Sequence, residues 1–346
     1  MNWGDVKKTA KERFAGACRV CPVCDGKACA GEMPGMGGIG SGASFMNNVA
    51  ALARLRLNLR TLHDKDTPDT RLTLFGHALE MPILVAPVAG TALNMNNAVP
   101  EEDLADAMMG GAVAAGSLGM AGDGPNPALA DIGIATIGRY GGRGCFIAKP
   151  RRSEDILRLL RRAEEAGAWA VGVDIDAAGI VGMVRAGQYV GPKPVADWKA
   201  IAARLERPFI LKGIMTPDEA EMALDTGAAA IVVSNHGGRI LDHTPGTADV
   251  LPSIAARVKG KIPILADGGV RSGYDVLKML ALGADAVMVG RPMSIAAVGG
   301  GKEAVAALLA QYADQLRSAM ILTGCASLAE VDARICGAMT PNSTTR

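Results

Sequence analysis

Short apolar runs alternate with helix-period segments along most of the chain. Pro82 to Ala86, Cys145 to Ala148, Trp169 to Asp174, Phe209 to Lys212, Ala229 to Val233, Pro263 to Ala266 and Ala286 to Val289 are each too short for a helix. Such runs read as strands buried on both faces of a parallel sheet. Gly111 to Ser117 reads as one more, second in order. Helical patterns lie at Pro100 to Met108, Ser153 to Ala166, Thr216 to Thr226, Asp249 to Val258 and Ser272 to Leu282, with Gly301 to Ala319 last. Pro217 suits a first helical turn, and Ser153-Glu154-Asp155 supplies a cap and acidic charge at a helix start. Repeated strand, loop and helix predict an α/β fold, a closed (β/α)8 TIM barrel, over an open doubly wound sheet. Ahead of the barrel, Asn2 to Ala17 and Phe45 to Leu57 read as helices, and Thr70 to His77 as a small strand or hairpin closing the barrel bottom. Residues 1–44 thus form a short N-terminal extension, and residues 45–346 the barrel.

Composition narrows the partners. With 346 residues the chain has ample core for one barrel. Its 36 basic and 35 acidic side chains leave a net charge of +1, which gives nucleic acid or an anionic membrane no electrostatic footprint. The charged N-terminus lacks the apolar core of a signal peptide, and no uncharged apolar run approaches bilayer length. A cytoplasmic protein is expected, as a homo-oligomer. The 44 glycines suit tight βα turns and close backbone approach to a ligand.

Chemistry gathers where strands end. Asp267-Gly268-Gly269-Val270-Arg271 and Gly290-Arg291 combine glycines that open the backbone, a helix start at Ser272 and two guanidiniums, which predicts a phosphorylated ligand. His236, after a buried strand and before two glycines, stands where a general base could meet a substrate; the plainer reading is a loop histidine capping a turn. Lys212 emerges from an apolar strand, where a solvated charge explains it poorly. Asp174 and Asp176 share a face; a cap or turn role competes for Asp174. Four of the seven cysteines, Cys18, Cys21, Cys24 and Cys29, fall within twelve residues. Their spacing is near that of iron–sulfur loops, a four-sulfur zinc site satisfies the same geometry, and reduced thiols remain the bland alternative. Cys145, Cys325 and Cys336 are dispersed and read as small core residues. The glycine-rich Gly31 to Ser44 reads as a linker or lid-like loop.

Ser234-Asn235-His236-Gly237-Gly238-Arg239, then the stretch from Ala266 to Val287, then Val289 to Pro292, resemble the FMN-dependent 2-hydroxy-acid oxidase and dehydrogenase family, which includes glycolate and lactate oxidases. The resemblance extends more weakly from about Gly37 onward. It implies FMN as cofactor and oxidation of a 2-hydroxy acid to a 2-oxo acid, with the electron acceptor open. It assigns His236 as base, Asp176 as the carboxylate that orients it, Arg239 to the substrate carboxylate and Lys212 to the flavin's N1 and O2 edge. Ala86, Pro87, Val88, Ser117, Asp174 and Ser234 would lie along the flavin, with Asp174 standing where many relatives carry threonine. For Arg239 a salt bridge with Asp242 is the structural alternative. The tyrosines usual near the substrate are absent, Phe146 and Ala148 standing where glutamine and tyrosine are common, and Arg185 is a candidate second substrate arginine. Two other readings remain: another FMN or nucleotide-phosphate barrel of isomerase or dehydrogenase type, and a non-catalytic flavin or metal redox sensor.

Overall fold

The computed structural model describes residues 1–338. Eight parallel strands close into a barrel: β1 (Ile83–Val85), β2 (Gly119–Gly122), β3 (Gly144–Ala148), β4 (Ala170–Asp174), β5 (Phe209–Ile214), β6 (Ala230–Val233), β7 (Ile264–Ala266) and β8 (Ala286–Val289). The ring closes where β8 pairs with β1 in parallel, Val287 opposite Ile83 and Val289 opposite Val85. Every barrel strand is buried along its length, as continuous apolar runs require.

Seven strands fall on the runs expected for them, and the second does not. Gly111 belongs to the helix Glu101–Ala114, and the strand begins at Gly119. Gly110 and Gly111 serve close helix packing, because a Cβ on Gly111 would lie 2.5 Å from Val305 Cβ. Ser117 therefore sits below the strand, where its hydroxyl donates to the Ile83 carbonyl, and does not reach a ring at the barrel mouth. The helix Ser153–Glu165 starts after an uncapped Arg152, so Ser153 is its first residue and no cap; the acidic first turn of Glu154 and Asp155 remains. Thr216 and Ser272 do cap their helices, each accepting from a backbone N–H three residues on. Ala128–Arg139 and Val195–Ala202 are helices that the apolar pattern did not single out.

Two cores hold the barrel. One fills its interior with Leu84, Leu118, Met120, Cys145, Ile147, Ile210, Val232, Leu265 and Met288. The hairpin Leu72–Leu74 and His77–Leu79 closes its lower end, with His77 stacked on Trp169 at 3.7 Å between ring centres. The other core lies between strands and helices. Cys325 is buried, while Cys336 is only half-buried in a strand that pairs with Leu55–Leu57.

The helix Arg291–Thr323 is 33 residues long, and its most apolar window, mean hydropathy 1.3, meets the length and composition of a membrane span, although Lys302 and Glu303 interrupt its uncharged run. It breaks at Gly300 and Gly301, and half of that window is buried. The N-terminal helix Trp3–Phe14 is fastened to it by Arg13, which donates to the Val298 carbonyl at 2.7 Å. Residues 339–346, expected to belong to the barrel unit, lie outside the described residues.

Gly273 marks a point of tight contact. A Cβ there would come within 2.1 Å of the Tyr312 carbonyl oxygen, which is backbone and cannot yield cheaply. Gly273→Ala is expected to destabilise the fold by about 1–3 kcal/mol, the range for overpacking, read as a lower urea midpoint than wild type.

Candidate active site

The carboxyl ends of the strands open into a cavity of about 540 Å³, within the size range of small-molecule and cofactor sites. Ala86, Pro87 and Val88 from the end of β1 line it, as do Met288 and Val289 of β8. Lys212, Asp174, Asp267, Gly268, Gly269, Arg271, Gly290 and Arg291 line it too. Most residues that the resemblance named thus meet at one cavity from separate strands. Ser117, Ser234 and Asp176 do not line it, Asp176 standing behind His236. Ser234 is fully buried, donating to Asp267 at 2.8 Å and accepting from the His236 N–H at 3.1 Å, so it shapes the loop.

His236 is held in a left-handed conformation, φ 56°, uncommon for a residue with a side chain and a mark of functional loops. Its Nδ1 lies 3.2 Å from Asp176 Oδ1 and 3.9 Å from Asp174 Oδ1. An ionised Asp176 accepts the Nδ1 proton and leaves the Nε2 lone pair for the cavity. Asp176 reaches this place because β5 is irregular at Gly213, φ 110°, where a Cβ would lie 2.6 Å from the Asp176 side chain. Burial and the Lys212 ammonium push the His236 imidazolium below its ordinary range, with Asp176 and Asp174 pulling the other way.

Beneath them is a buried charge cluster. Asp174 meets Lys149 Nζ at 2.7 Å and Lys212 Nζ at 2.9 Å, all three being nearly inaccessible. Burial opposes ionisation of Asp174, but the two ammoniums outweigh it and hold the carboxyl far below its usual range. Asp174, Asp176 and His236 bring ligand atoms within 4.8 Å of one another, as a metal site would. The two ammoniums already neutralise that position and oppose a further cation. Burial pushes the Asp267 carboxyl up, against Lys212.

Lys149 and Asp123 were missed from sequence. Lys149 ends an apolar strand as Lys212 does, which is the signal that could have found it. Asp123 follows the true β2, accepts from Lys149 N–H and pairs with Arg151 at 2.8 Å each; burial pushes its carboxyl up.

At the rim the glycine-rich loop folds over the mouth, which makes it a lid rather than a linker. Arg239 donates to the carbonyls of Gly35 at 2.5 Å and Gly37 at 3.1 Å, and to Asn94 Oδ1 at 2.8 Å. It makes no salt bridge with Asp242, which instead accepts from the Ser41 N–H at 2.5 Å. Arg291 donates to the carbonyls of Met36, Gly37 and Gly237, and its guanidinium lies 3.9 Å from the centre of the Phe45 ring. Arg271 donates to the Cys24 carbonyl at 3.1 Å. None of Arg239, Arg271 and Arg291 forms a salt bridge with a carboxylate among the described residues. Burial and the other two guanidiniums pull Arg291 down to about 9, and burial pulls Arg239 to about 10.

Three converging guanidiniums without a counter-anion call for a phosphate or carboxylate. The glycine loops allow its approach: Gly268 and Gly269 have φ 102° and 82°, and a Cβ on Gly290 would meet nothing closer than 3.9 Å. An apolar wall, a buried ammonium and this anion-seeking end fit FMN. Asp176 Oδ2 is buried and without a hydrogen-bond partner among the described residues. Arg185 lines the cavity as well. No tyrosine does: Tyr140 bonds Asp106, Tyr312 is buried in the last helix, Tyr189 lies beside Arg152, and Tyr274 is exposed.

The described fold and site have counterparts. The family model of the FMN-dependent dehydrogenase matches residues 35–195 and 183–337. Over 331 residues the chain is 35% identical to a 4-hydroxymandelate oxidase of Amycolatopsis orientalis, spanning 84% of this chain and 89% of that one. It is also 35% identical over 333 residues to an L-lactate oxidase of Alicycliphilus denitrificans, spanning 85% and 88%. A crystallised mandelate oxidase variant with 2-hydroxy-phenylacetamide superposes with a TM-score of 0.77 at 33% identity, covering 96% of this chain and 97% of that one.

Proposed function

The chain belongs to the FMN-dependent dehydrogenase family, and from that premise we propose that it oxidises a 2-hydroxy acid with an apolar side chain to the 2-oxo acid. The observation that carries the reaction is His236, held through Nδ1 by Asp176 at 3.2 Å above a cavity that ends in arginines bonded to carbonyls rather than to carboxylates. Ala86 to Val88, Lys212, Gly268, Gly269, Gly290, Arg271 and Arg291 would hold FMN, which would supply the acceptor for the hydride equivalent leaving the α-carbon.

The chain's own side chains do the rest. His236 Nε2 takes the proton of the substrate hydroxyl, and Asp176 keeps the Nδ1 proton in place and stabilises the imidazolium. Arg239 receives the carboxylate, exchanging for it the loop carbonyls of Gly35 and Gly37 that it now holds. The loop closes over the mouth and keeps water out. Met33, Met36, Leu93, Val181 and Met183 form the outer wall. That wall favours an apolar or aromatic substituent over a second charge. Supplying purified holoprotein with mandelate, lactate and glycolate tests the reading: the matching 2-oxo acid should accumulate fastest from the most apolar substrate. Equal or faster turnover of glycolate would remove the apolar preference.

The site also fixes a pH dependence. His236 must be neutral to take a proton, and its folded value lies below the ordinary imidazole value of about 6.5. The rate of flavin reduction by substrate should therefore rise with pH through a midpoint below that value and be flat near neutrality. Asp176→Asn removes one of the charges that favour the imidazolium, so the midpoint should move further down while the plateau falls. Rapid-mixing rates across pH check both.

A further inference from the structure

Beside the barrel mouth lies a second, smaller cavity that the hydroxy-acid chemistry does not use. Cys18, Cys21, Cys24 and Cys29 all line it, together with Phe45, Ile295 and Arg291. The four thiols come from one loop that leaves the helix Trp3–Phe14, and none is in a disulfide. Arg291 and Met36 line both cavities, so the thiol site adjoins the anion-seeking end of the main one.

Two of the four sulfurs already face donors, while Cys29 Sγ donates to the Gly26 carbonyl. The Val20 N–H points to Cys18 Sγ at 3.5 Å, and Arg271 Nη2 lies 3.6 Å from Cys24 Sγ. Arg19, which pairs with Glu32, and Arg291 also line the cavity. N–H groups and positive charge around thiolates are what a negatively charged metal–sulfur centre uses for stabilisation.

Size separates the candidate guests. Four bonds of about 2.3 Å to one tetrahedral zinc ion would place the sulfurs about 3.8 Å apart. Among the described residues, the groups with three ligand atoms within 4.8 Å of one another do not include these cysteines. The four thiols line one cavity without closing to the spacing that a single zinc ion imposes, and an iron–sulfide core takes thiolate ligands set further apart. We propose that Cys18, Cys21, Cys24 and Cys29 ligate an iron–sulfur cluster at the edge of the barrel mouth. The cluster gives the protein a one-electron centre. The inference does not rest on the hydroxy-acid reading, because the ligands and their cavity are separate from His236 and Asp176.

The test uses the full chain, prepared without oxygen and holding its FMN. Iron and acid-labile sulfide should be present in equal amounts, a dithionite-reduced sample should give a low-temperature electron paramagnetic resonance signal distinct from flavin, and reductive titration should consume more electrons than the flavin accounts for. Cys21→Ser and Cys24→Ser should lose iron and sulfide, whereas Cys145→Ser and Cys325→Ser should keep them. Zinc in place of iron, or no metal after reconstitution with ferrous iron and sulfide, overturns the proposal. If a loop variant fails to fold, the wild-type iron, sulfide and resonance measurements decide alone. Metal content is read without any substrate, so its failure is distinguishable from failure of the hydroxy-acid reaction.

Discussion

His236→Ala should keep FMN bound and slow its reduction by substrate by on the order of 10²- to 10⁴-fold, the usual worth of a positioned general base. The ring has one polar partner below, Asp176 at 3.2 Å, and faces the cavity above. Removing it leaves the Lys149–Asp174–Lys212 cluster intact, with the apolar wall and the glycine loops unchanged. Flavin content should therefore match wild type while the single-turnover rate collapses. A rate within tenfold of wild type would show that the proton goes elsewhere.

Lys212→Met should act on the cofactor before it acts on the reaction. The ammonium is 3% exposed and lies at the cavity floor, 2.9 Å from Asp174. Its charge is retained despite burial because Asp174, Asp176 and Asp267 surround it and hold its protonation far above neutral pH. A hydrogen bond from a charged group is worth about 1.5–3 kcal/mol, so FMN affinity should fall roughly ten- to a hundredfold. The fold should survive, since Lys149 still pairs with Asp174 at 2.7 Å. Equilibrium dialysis of FMN against the apoprotein, with circular dichroism as the folding control, reads the two effects separately. Unchanged affinity would place the flavin away from Lys212.

The strand ends were legible because burial and chemistry coincide there. A run such as Ile231 to Val233 can only be a buried strand, and whatever follows it must face the mouth, so His236 and Arg239 could be placed by counting. The second strand escaped for a physical reason. Gly111 to Ser117 and Gly119 to Gly122 are both runs of small residues, with little β-branching to tell strand from helix. What decides is Val305 pressing on Gly111 from a helix almost two hundred residues away. That error carried Ser117 to the wrong end of the barrel and hid Asp123.

Arg239 shows the other limit. Its motif placed it at the mouth, but its present partners, the carbonyls of Gly35 and Gly37, are more than two hundred residues distant in sequence. Composition marked that loop only as turn-rich. Its use as a cover follows from the N-terminal helix being pinned to the helix Arg291–Thr323 through Arg13 and Val298, a contact that no local pattern encodes. Lys149 leaves its apolar strand one residue after Ala148, a position where a buried cation is marked by the same signal that marks Lys212.

The mouth of this barrel removes a proton and a hydride equivalent from a 2-hydroxy acid. Anaerobic titration of the FMN-loaded protein with mandelate, lactate and glycolate tests it most directly, following flavin absorbance together with the acid products. At least one acid should bleach the flavin, with 2-oxo acid formed in equal amount, and the same acid should leave His236→Ala oxidised over the same interval. A flavin that stays oxidised in the wild type with every 2-hydroxy acid, while dithionite reduces it normally, would contradict the account.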